Sequence, residues 1–147
     1  MRPLIVAEPR GQYFSRPPVV ADCSVLAAVL FNEPEAEDAL ASLSGKALFA
    51  PWLLDAEIVS VAVKKSLAGF SDLSIAALED YGALRIARKS VNLSAQGKLA
   101  VSHQLTAYDA AYLQLAIELG APLLTFDQKL GRAARSALES GPDEELQ

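Results

Sequence analysis

The sequence predicts an α/β domain, a parallel sheet of four or five strands flanked by helices on both faces. Three observations carry this expectation. Short apolar runs, VVA at Val19 to Ala21, ALFA at Ala47 to Ala50 and APLLTF at Ala121 to Phe126, alternate with longer segments whose apolar residues recur at helical spacing. Strands that alternate with helices need crossover connections, which set neighbouring strands parallel and cover both faces. Two of the runs end at an acid, Asp22 and Asp127, at the strand edge where such sheets build their sites.

Taken in order, residues 1–17 hold one apolar run, LIVAE, followed by a Gly, Pro and Arg stretch that reads as irregular. The strand Val19 to Ala21 leads through Asp22 into a helix over SVLAAVLF, capped by Asp22 or Ser24. A second helix covers Pro34 to Leu43 and a second strand Ala47 to Ala50. Pro51 suits the first position of the helix WLLDAEIVSVAVKKSLAG, which stops at Gly69. A helix from Asp72, a strand within Arg85 to Val91 and a helix from Ser94 to Gln104 follow. On the next helix Tyr112, Leu113, Ala116, Ile117 and Leu119 share one side at about 100° per residue, and Gln114 and Glu118 the other. Gly120 stops it, the last strand ends at Asp127, and QKLGRAARSALES makes the final helix. The domain is expected over 18–139, with an extension of unknown role at 1–17 and a disordered tail at 140–147.

Composition narrows the function. The chain has 147 residues, 52% of them hydrophobic, a net charge of −5 and a mean hydropathy of +0.23. That is apolar enough to expect a covered surface, consistent with a homodimer. A negative chain does not attract nucleic acid by overall charge, so a polyanion needs a local device. The longest apolar run is too short for a bilayer and no secretion signal is legible, so no membrane association and a cytoplasmic location are expected. One cysteine, Cys23, and one histidine, His103, leave neither a disulfide nor a zinc cluster. Carboxylates remain for chemistry.

Asp109 points into the apolar side of its helix, where a charge is costly without compensation. Asp22 and Asp127 share the sheet edge, and each also suits a helix cap. Glu57 lies on the same side of its helix as Ser60, with Asp55 turned nearly opposite. Thr106 and Asp109 have the spacing of a capping box. Four carboxylates at one pocket repel each other and hold protons unless a cation is present, and oxygen-only ligands suit magnesium, with manganese as the alternative. Such an ion activates a water for attack on a phosphodiester. Ser24 and Thr125 sit beside the strand-end acids as supporting hydroxyls, and Lys129 and Arg132 follow Asp127 closely enough for phosphate contacts.

The segments VVADCSVLAAVLFNE, APWLLDAEIVSV and LTAYDAAYLQLAIELGAPLLTFDQKLGRAA resemble the PIN domain family, in particular the VapC-type toxins, over residues 18 to 137. The resemblance implies a parallel sheet between helices and metal-dependent endoribonuclease activity. It further implies a cognate antitoxin, with Asp22, Glu57, Asp109 and Asp127 as metal-binding acids and Ser24 and Thr125 as accessory groups. This chain departs from the family at Ser60, where asparagine is common, and in the extension, for which an edge strand, an arm across a dimer and a disordered leader are the alternatives. The expected activity is therefore magnesium-dependent RNA cleavage by a toxin. Its rivals are a PIN fold without chemistry that acts through protein contacts, and a different phosphate enzyme such as a phosphatase or a phosphoacceptor receiver. A receiver needs paired acids near the first strand, and Asp22 has no adjacent acid.

Overall fold

The computed structural model describes residues 1–9 and 16–140. Its strands are β1 (Ile5–Ala7), β2 (Pro18–Ala21), β3 (Ala47–Pro51), β4 (Ile86–Lys89) and β5 (Leu123–Thr125). Its helices are α1 (Cys23–Leu30), α2 (Ala36–Leu43), α3 (Leu53–Leu67), α4 (Ser71–Ala83), α5 (Leu93–His103), α6 (Ala107–Leu119) and α7 (Gln128–Glu139). The strands form one sheet in the order β1-β5-β2-β3-β4. Pairing is parallel from β5 to β4, with Val20 of β2 opposite both Phe49 of β3 and Leu123 of β5. Consecutive strand residues point to opposite faces, so the burial of Val19, Val20 and Ala21 together shows that both faces are covered.

The sheet is parallel as expected except at one edge. β1 runs antiparallel to β5, with Ile5 opposite Thr125 and Ala7 opposite Leu123. Residues 8–17 alone join β1 to β2, and a parallel neighbour would need a crossover of a dozen residues or more, usually helical. An antiparallel edge strand needs none. Of the three alternatives for the extension, Ile5–Ala7 is an edge strand; the irregular stretch at 10–15 lies outside the described residues, as does the expected tail, Ser140 apart.

Two local expectations also change. Pro51 ends β3, opposite Lys89 of β4, and α3 begins after Trp52. Proline tolerates that place because pairing with β2 has already stopped at Phe49, so Pro51 has a strand neighbour on one side only. The two-sided reading of α6 fails in its middle, because Gln114 is buried and Ile117 is exposed. Residues Ala110 to Ala116 are buried all round, since α6 packs on β2, β3 and β5 and also meets α5 and α7. A helix enclosed on several sides has no solvent face for its middle turns. It ends where expected, at Gly120 in the left-handed region, φ 60°.

Leu113 sits in the centre of this packing with 0% exposure. Leu113→Ala is expected to cost about 2–5 kcal/mol of stability, measured by urea unfolding. A cost below about 1 kcal/mol would show that α6 is not the core helix.

Candidate active site

Parallel pairing of β2 with β5 brings Asp22 beside Thr125. Ala21 stands opposite Leu124, and the Asp22 N–H donates to the Leu124 carbonyl at 3.2 Å, carrying the ladder one residue past the strand. The Asp22 side chain is 5% exposed. Its Oδ1 accepts from Ser24 Oγ at 2.6 Å and from the Val25 N–H at 3.2 Å, and its Oδ2 accepts from the Thr125 hydroxyl. Both hydroxyls are oriented from behind. The Phe126 N–H donates to Ser24 Oγ at 3.0 Å and the Asp127 N–H to Thr125 Oγ1 at 2.9 Å. Each hydroxyl therefore turns its own proton onto Asp22. A carboxylate has about four acceptor positions, so one stays open here.

Burial pushes the Asp22 carboxyl up to about 6, with the charge of Asp109 adding to the rise and the hydrogen bonds from Ser24, Thr125 and Val25 opposing it. Glu57 is half-buried on α3 and accepts from the Tyr112 hydroxyl at 2.6 Å. Burial raises its carboxyl too, Asp109 adds to the rise and Tyr112 opposes it. Burial, then the neighbouring Glu57, pushes the Tyr112 phenol well above its usual range, so it stays a proton donor. Asp109, in the first turn of α6, is raised by burial and by Asp127, against the Thr106 hydroxyl and the charge of Lys129. Asp109 is thus the acid that feels or perturbs each of the others. Asp127 follows β5 and caps α7, accepting from the Leu130 N–H at 2.8 Å.

The expected residues are therefore neighbours at one edge of the sheet, with two distinctions. Lys129 acts electrostatically on Asp109. Arg132 instead lines a shallow cavity of ≈ 290 Å³ with His103, Lys129 and Ser136. The capping roles are real as well, for Asp22 on α1, Asp127 on α7 and Thr106 on α6. Asp55 does turn away from Glu57, to Tyr81 and Arg88. Ser60 is exposed, and the support for Glu57 is Tyr112, which sequence reasoning assigned only to an apolar face. Its place one helical turn beyond Asp109 was the available signal. Burial, then Glu57, Asp22 and Glu33, pushes the Cys23 thiol up to about 12, which favours the thiol over the thiolate.

Among the described residues, no three His, Cys, Asp or Glu side chains converge into a group that would hold a metal ion as they stand. The donor chemistry nevertheless fits a hard divalent cation. Magnesium takes only one or two carboxylates directly and keeps several waters.

The PIN domain family model matches residues 19–136. The chain belongs to the PIN domain family. Ribonuclease VapC3 of Mycobacterium tuberculosis is 32% identical over 122 residues, which cover 81% of this chain and 89% of that protein. The crystal structure of PAE2754 from Pyrobaculum aerophilum has a TM-score of 0.62 at 23% identity, covering 82% of this chain and 84% of that one. The likeness in structure extends to the fold of this PIN domain, whose β1 precedes the span of the family model.

Burial of Asp22 has a consequence for stability in the absence of metal. The carboxyl moves from 3.8 to about 6 on folding, so the folded PIN domain holds this proton more tightly than the unfolded chain. Its contribution is fully present below the unfolded value and is lost as pH rises through the folded one, by up to about 3 kcal/mol. In chelator, Asp22→Asn is expected to lessen the fall in thermal midpoint between about pH 4 and pH 7. An unchanged fall would show that Asp22 is not the buried acid responsible.

Proposed function

We propose that this PIN domain is a divalent-metal-dependent endoribonuclease, the toxin of a toxin–antitoxin pair, working in the cytoplasm. The observation that carries the reading is the Asp22 carboxylate, buried at the sheet edge, fixed by two oriented hydroxyls and coupled in charge to Asp109. The family match and the similarity to a protein named Ribonuclease VapC3 support the same reading. Asp22, Glu57, Asp109 and Asp127 would hold the ion, magnesium or manganese. When bound, it supplies a water of lowered pKa and neutralises charge on the leaving oxygen.

The chain's own groups do the rest. Ser24 and Thr125 fix the buried Asp22 carboxylate as an acceptor, and Tyr112 holds Glu57. Lys129 and Arg132, both exposed beyond Asp127, supply positive charge for the RNA backbone on a chain that is negative as a whole.

Two apolar surfaces support the proposed partners. A groove of ≈ 400 Å³ lined by Leu26, Val29, Leu30, Leu40, Leu43 and Leu48 suits an apolar antitoxin segment. On α3 and just before it, Trp52, Val59, Val63 and Leu67 are 60, 48, 51 and 84% exposed. Their helical spacing makes one stripe, which suits a second copy of the chain.

Purified protein with magnesium is expected to cleave RNA, and Asp109→Asn to lower the rate by roughly a hundredfold or more. Equal activity in both, or none in either with no metal bound, overturns the reading. Val63→Asp is expected to shift the sedimenting species from dimer to monomer; a monomeric parent chain, or a dimer that survives the substitution, sinks the α3 interface.

A further inference from the structure

The extension makes contacts that the proposed chemistry has not used. Ile5 stands opposite Thr125, the residue whose hydroxyl holds Asp22. The Ile5 side chain lies on Gly131 of α7, so close that a Cβ there would come within 2.5 Å of its Cδ1. Arg2 donates from its backbone N–H and its Nε to Glu35 Oε1 at 3.2 and 3.1 Å, and from Nη2 to Glu33 Oε2 at 3.3 Å. The Arg2 guanidinium also lies over the Phe126 ring, 5.2 Å from its centroid. Glu35, directly before α2, is covered in the structure with Arg2 bonded to it. Phe126 lies between Thr125 and Asp127, and its N–H orients Ser24.

We propose that Arg2–Ala7 is a positioning strap for the site. It joins β5 as a strand, seats Ile5 on α7 and draws Arg2 across Phe126 onto Glu33 and Glu35. The turn Thr125–Phe126–Asp127 is thereby pinned against Asp22. Arg2 and Ile5 are positioning residues, since neither bonds to an acid of the site. That the strap serves catalysis rests on the ribonuclease reading; that it pins the turn does not.

The test uses the full chain with Arg2→Ala, with Gly131→Ala to push Ile5 off α7, and with Arg88→Ala as a control at the opposite edge of the sheet. Hydrogen exchange is read amide by amide. Both strap variants are expected to expose the Phe126 and Asp127 amides roughly tenfold more than those of β3, the size expected from losing charge-assisted bonds or a seated side chain. Arg88→Ala is expected to leave that ratio unchanged. With activity as a second readout, Arg2→Ala is expected to raise the magnesium needed for half-maximal RNA cleavage several-fold while the KM for RNA holds. Uniform loosening of the sheet in the strap variants, or no change at the two amides, overturns the strap. If the parent chain cleaves no RNA, the ribonuclease reading fails while exchange still decides the strap.

Discussion

The structure depends on one buried carboxylate at the seam of two parallel strands. Asp22 sits where β2 ends and β5 ends beside it, and its burial has to be offset locally or the seam would open. Three protein donors provide the offset. Two of them are hydroxyls that are themselves held by the backbone of residues 126 and 127. The path of the chain out of β5 is thus set by the needs of a residue more than a hundred positions earlier. The start of α7 follows from the same turn, because Asp127 caps it.

Capping and site formation are compatible because a carboxylate has two oxygens. Asp22 uses Oδ1 to cap α1 and Oδ2 to meet Thr125; Asp127 uses Oδ1 to cap α7. A cap contributes about 1 kcal/mol, less than the cost implied by moving a carboxyl to about 6. Helix stability alone therefore does not account for keeping Asp22 as aspartate, since serine or threonine would cap without the buried charge. Burial is the main source of that cost, and Asp109 adds to it by acting on Asp22 and Glu57 while itself raised by burial and then by Asp127. On the proposed reading, a bound cation would offset both the burial and the mutual charge of these acids.

Much of this was legible in the sequence because it is local. Strand, acid and helix in succession located Asp22 and Asp127, and helical direction separated Glu57 from Asp55 correctly. What failed depends on contacts distant in sequence. Gln114 read as a solvent residue because periodicity assumes one wet face, and α6 has none in its middle. Tyr112 read as core, which it is, but its hydroxyl reaches Glu57 on a helix 55 residues away. LIVAE read as an apolar run with an edge strand as only one of three alternatives, because its partner β5 is nearly the whole chain away and antiparallel pairing leaves no crossover helix to announce it.

That edge strand bears on how the end of β5 is held. Without β1, β5 would be the edge of the sheet, a strand of three residues with open backbone groups on one side. Edges of that kind fray and invite foreign strands, yet this one carries Thr125 and leads directly to Asp127. β1 covers it, and Gly131 leaves α7 without a side chain where Ile5 lies. On the proposed reading a bound cation would add to the need for such cover, because Asp127 follows directly from β5. The cover of this edge comes from outside the domain's parallel core, through the pairing of Ile5–Ala7 with β5 and the bonds of Arg2 to Glu33 and Glu35.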